Sequence, residues 1–147
     1  MKHVAGSAVV GLLVALSAGC GGGDNKSGEK GGTLNEEARA ACTGPALTAS
    51  PKLPAGFPQV EHATYTKQKT QGPTDVVEGY FKGDVKDAHD QYKKELEGAG
   101  YKVLFEELEE HDSEVSWSGD GRSGQVALRE DCGEKGKIYV HITNRPA

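Results

Sequence analysis

Apart from one stretch at its N-terminus, the chain has no long hydrophobic run, which excludes a protein that crosses a bilayer several times with helices. It also lacks a basic excess. Seventeen Lys and Arg stand against 22 Asp and Glu, giving a net charge of −5. This argues against a nucleic-acid partner, which would call for a concentrated basic face. The local signatures of several chemistries are missing too. No Gly-x-Ser-x-Gly elbow occurs, and Gly121-Arg122-Ser123-Gly124 does not fit one. There is no His-Glu-x-x-His zinc helix, phosphate-binding loop, dinucleotide fingerprint or Cys-x-x-Cys pair. Neither Asp112 to Glu114 nor Asp120 to Gly124 has the alternating oxygens and distal glutamate of a calcium loop.

What remains is a globular composition, 35% hydrophobic and 27% charged over 147 residues. Such a length suits one domain with extensions. Glycine is abundant, but nine of the 21 glycines fall in the first 32 residues. Lys2 opens the chain with a positive charge, and Val4 to Ala18 is uncharged and apolar. Those fifteen residues would form a helix of about 22 Å, short of the ~30 Å hydrocarbon core, so a cleaved signal is expected over a permanent span.

Leu16-Ser17-Ala18-Gly19-Cys20 resembles the lipobox of bacterial lipoproteins. The resemblance covers residues 1–20, with the leucine four places before the cysteine and Ser17 where leucine is commonest. It implies a signal peptide over 1–19, a diacylglycerol and further acyl chains (palmitate among them) on Cys20, and a cell-envelope location outside the cytoplasm. An ordinary secretory signal and an uncleaved anchor are the alternatives. One acyl chain holds a protein only marginally, whereas two or three hold it durably. Loss of Lys2 leaves 16 basic and 22 acidic residues, so the membrane would be reached through lipid and not through charge. Gly21 follows the cysteine; in Gram-negative lipoproteins the lack of an aspartate there favours the outer membrane.

Residues 20–33 are glycine-rich and polar and are expected to be a flexible tether. The single globular domain is expected over 34–147. Asn35 caps a short helix from Glu36 to Cys42, ended by Thr43-Gly44-Pro45. Pro51, Pro54 and Pro58 impose an extended connection. Val60 to Lys69 and Thr74 to Lys82 are predicted strands, joined by Gln71-Gly72-Pro73. Asp84 caps the clearest helix. Val85, Ala88, Tyr92, Leu96 and Ala99 share one face of it, and Gly98 and Gly100 stop it. Four strands follow, marked by alternation of Tyr101, Val103 and Phe105; Val115 and Trp117; Val126 and Leu128; and Ile138, Val140 and Ile142. The fold class is therefore α+β in two layers. A mostly antiparallel sheet of five or six strands, in the order β-β-α-β-β-β-β, carries one amphipathic helix, with a short N-terminal helix in addition.

With Cys20 lipidated, Cys42 and Cys132 can pair in only one way, and an oxidising compartment favours the bond. It would close a loop of about 90 residues and stabilise by ~4–5 kcal/mol in the chain-entropy model. No metal site or cofactor is expected. His62 and His141 are the weak candidates for ligands, both on predicted strands, with His89 or His111 as a third. Glu106 to Glu114 is the densest acidic run. It is read as a solvated hairpin edge that discourages strand pairing, with a docking patch for a cation or basic partner as the alternative. Trp117 is placed toward the core. The expected function is a non-catalytic binding or scaffolding lipoprotein of the envelope with an unidentified protein partner. The alternatives are an extracytoplasmic enzyme or inhibitor, or a metal-binding lipoprotein.

Overall fold

The computed structural model describes residues 29–147, with side chains described from residue 36. Its elements are α1 (Glu29–Thr43), β1 (Ala63–Gln71), β2 (Thr74–Lys82), α2 (Val85–Gly98), β3 (Lys102–Leu108), β4 (Asp112–Gly119), β5 (Arg122–Arg129) and β6 (Lys137–Pro146). The fold is α+β, with one six-stranded antiparallel sheet in the order β1-β2-β6-β5-β4-β3. Strands β3 to β6 form the expected meander, and the β1–β2 hairpin joins it through β2 and β6. The β2–α2–β3 connection therefore spans the sheet, because β2 and β3 lie four strands apart.

Local chemistry accounts for the joints. Asp84 Oδ1 accepts the backbone N–H of Asp87 at 2.8 Å and caps α2. Asp120 and Gly121 both have positive φ, 54° and 68°, which suits the tight turn between β4 and β5. Gly124 is required by packing. A Cβ there would stand 1.9 Å from the Thr143 carbonyl oxygen and 2.7 Å from the Trp117 indole.

The two helices cover opposite faces of the sheet, so the fold has three layers and not the expected two: the longer α1 packs on the face that was expected to stay open. Beneath α2, Val85, Ala88, Tyr92 and Leu96 pack on Val115, Trp117, Val126, Leu128 and Val140 in the main core. Each fully buried aliphatic side chain there contributes about 1.5–3 kcal/mol. Leu53 and Phe57, from the proline-rich connection, close the same core, with Phe57 edge-on to both Tyr101 and Trp117. Beneath α1, a smaller cluster joins Ala38, Ala41, Cys42, Cys132 and Tyr139. Thr66 fastens the helix end by donating from Oγ1 to the Ala41 carbonyl at 2.6 Å.

Several local expectations are revised. Helix α1 begins at Glu29, seven residues before the expected start and inside the stretch assigned to the tether. Extending a helix costs far less than nucleating one, so Asn35 does not stop it. Strand β1 begins at Ala63 instead of Val60, which is buried just ahead of it. Ala99 is exposed as the C-cap of α2, and His89 is buried on the helix face instead. In β3 the expected alternation fails. A register shift between Val103 and Phe105 leaves Phe105 opposite Ser116, with Leu104, Phe105 and Leu108 exposed on a sheet edge.

Candidate functional site

Along β6, Ile138, Val140 and Ile142 point into the main core, so Tyr139, His141 and Thr143 line the other face. The strand register sets their neighbours. Glu78 of β2 stands opposite His141, and His141 stands opposite Ala127 of β5. One step along the same face, Tyr139 stands between Tyr80 and Arg129. Helix α1 covers part of this face. At its margin lies a cavity of about 230 Å³, walled by Glu37 of α1, Lys69 of β1, Glu78, Arg129 and Gln125 of β5, Asp131, Tyr139 and His141.

Glu78 is the unusual member of this group. It is only 5% exposed. Its Oε1 accepts a short hydrogen bond from the Tyr139 hydroxyl. Among the described residues, no lysine, arginine or histidine nitrogen lies within 4.0 Å of its carboxylate. A buried carboxylate normally acquires a cation or several donors, because desolvation is costly. Burial and then the bond to Glu78 push the Tyr139 phenol far above its ordinary 10.0, so it stays a donor. His141 is shifted below 6.5, first by burial and then, against the pull of Glu78, by Lys69 and Arg129. Its imidazole is neutral at pH 7. The wall thus offers a fixed carboxylate, a neutral imidazole and two cations around one small space.

A second cluster has the order of a catalytic triad. Ser113 Oγ lies 2.6 Å from His89 Nδ1, and His89 Nε2 lies 3.7 Å from Glu106 Oε2. Ser113 is 1% exposed and His89 is 5% exposed, so a substrate has no route to the hydroxyl. Glu106 is already held by Lys93 at 2.7 Å. The ring satisfies a buried serine and fastens α2 to β4.

The residues singled out in the sequence separate as follows. Cys20, the signal and most of the tether lie outside the described residues. Cys42 and Cys132 form a disulfide with a Cα–Cα distance of 5.5 Å. This bond joins the end of α1 to the segment after β5. His62 and His141 are not brought together. His62 is exposed, with a φ of 68°, and stands edge-on to Phe81 of the α2-side core, whereas His141 neighbours Tyr139 on the other face. His111 is an exposed turn residue, 2.9 Å from Glu130. Among the described residues no group of three or more His, Cys, Asp or Glu side chains is arranged to hold a metal ion. The acidic run occupies the exposed β3 edge and its turn into β4. Trp117 is fully buried.

The larger cavity, about 950 Å³, is an open trough beside Leu53, Phe57 and Tyr65 beneath the proline-rich connection. It holds no convergent charged groups apart from Glu61. Glu78, Tyr139 and Arg129 were not visible as a site in the sequence. The only signal was their phase, since each alternates with the residues of its strand that face the main core. No protein-family model matches the chain, and no curated protein shows significant similarity to it.

Proposed function

We propose that the protein is an extracytoplasmic lipoprotein, anchored through acylated Cys20, whose folded domain is a non-catalytic binding module of the cell envelope. The Cys42–Cys132 bond carries this proposal, because such a bond persists in oxidising compartments and is rare in the cytosol. The lipobox-like Leu16 to Cys20 supports the anchor, and the glycine-rich stretch after it supports a short tether to the bilayer. Gly21 favours the outer membrane in a Gram-negative host. The cavity beside Glu78 supports a binding role, and the Ser113–His89–Glu106 alignment, being sealed in the interior, does not support hydrolysis.

In the native host, alkyne-palmitate labelling is expected to mark the wild-type chain and not Cys20→Ala, and the variant is expected to leave the membrane fraction. An unlabelled wild-type chain that still carries residues 1–19 would overturn the anchor.

A further inference from the structure

Every charged side chain on the wall of the small cavity lacks an ion-pair partner among the described residues: Glu37, Lys69, Glu78, Arg129 and Asp131. Unpaired charges are common on the exposed surface, but among the described residues Glu78 is the one acidic side chain that is buried, and it has no ion-pair partner. The unpaired set is mixed in sign, and its most buried member is the Glu78 carboxylate. The strand ladder holds the charges apart. Arg129 lies two strands from Glu78 and two residues along, with Tyr139 and His141 between them. At strand spacings of about 4.8 Å and rises of about 3.3 Å, these backbone positions stand roughly 12 Å apart. The long arginine side chain spans part of that gap. Arg129 and Glu78 form no ion pair in this structure, and a small molecule between them can neutralise both.

We infer that this cavity binds a small zwitterion of amino-acid type, its ammonium group on Glu78 and its carboxylate on Arg129, with Lys69 alongside. The inference rests on the cavity being the ligand site of the binding module. A purely cationic ligand would meet Lys69 and Arg129, and a purely anionic one would meet Glu37, Glu78 and Asp131. A molecule with both charges satisfies each end. The Glu78 carboxylate is preset, because the Tyr139 hydroxyl holds Oε1 and leaves the second oxygen for an ammonium donor. His141 is a neutral neighbour that adds no repulsion. At about 230 Å³ the cavity is of a size to admit a free amino acid.

Calorimetric titration of the purified full-length chain tests this with four probes: L-alanine, 4-aminobutyrate, butylamine and butyrate. One of the two zwitterions is expected to bind at least tenfold tighter than either singly charged analogue. Glu78→Gln and Arg129→Gln are each expected to weaken that binding at least tenfold. Arg129 is exposed, so its variant folds even if the buried substitution does not. Binding by none of the four probes, equal binding of butylamine or butyrate, or full affinity in Arg129→Gln would overturn the inference. The anchor and the site fail separately. Loss of acyl label with binding intact removes only the anchor, and label without binding removes only the site.

Discussion

On the face beneath α2, Val115, Trp117, Val126, Leu128, Val140 and Ile142 are all at 0% exposure. On the other face the same three strands present Glu114, Gln125, Arg129 and His141. The difference follows from coverage. Helix α2 packs on β3, β4 and β5, and the proline-rich connection closes that layer beside it. Helix α1 packs chiefly on β2, β6 and β1, and on the same face Arg129 of β5 is exposed. A fully covered face selects apolar residues at every second position. A half-covered face has a margin where a polar side chain can be buried without being paired. Glu78 stands at that margin.

The contrast can be tested most severely at the bond that fixes α1. Replacing Cys42 and Cys132 by serine is expected to lower the unfolding free energy by about 4–5 kcal/mol, read from urea denaturation. It should also loosen α1 and leave the α2 face intact. On the dry face, Trp117→Ala is expected to cost about 3–5 kcal/mol in the same measurement, because Phe57, Tyr101 and Gly124 are shaped around the indole. A matched pair sharpens the comparison. Val126→Thr places an unsatisfied hydroxyl in the dry core and is expected to cost about 1–3 kcal/mol. Removing both partners of the wet-face bond, in the double variant Glu78→Leu with Tyr139→Phe, is expected to stay within about 1 kcal/mol of wild type. A large loss in the double variant would mean that the polar pair holds the fold.

The smallest effect is expected from pH. The unfolded chain takes up a proton at His141 near 6.5, while the folded chain resists it because the ring is desolvated and faces Lys69 and Arg129. The unfolded state therefore binds more protons as the pH falls below 6.5, and stability declines until the folded value is also passed. Urea midpoints measured downward from pH 7 are expected to show this decline and to flatten in His141→Gln. An unchanged slope in that variant would assign the decline to other groups.

Much of the dry face was legible in the sequence, and little of the wet face was. Alternation in β4, β5 and β6 reports one buried side directly, and the α2 stripe with Asp84 at its head reports a helix lying across it. The disulfide followed from counting, since two cysteines allow one bond. Strand β3 misled because its inserted residue reverses the phase after Val103, and no residue type there announces the insertion. His89 was missed on the α2 face because its burial depends on Ser113 of β4, a partner that helical periodicity does not supply. The cavity was illegible because Glu78, Arg129 and His141 become neighbours only through strand register. Each residue alone reads as an ordinary outward-facing polar side chain. The His62–His141 pairing failed for the same reason: both sit near strands, but register and face keep them apart.

The bond between Cys42 and Cys132 turns everything from the end of α1 to just beyond β5 into a closed covalent loop, with β6 threaded outside it at the middle of the sheet. A protease that nicks the exposed proline-rich segment opens this loop without releasing a fragment. The nicked protein would run at full mass on a non-reducing gel and separate in two only after thiol treatment.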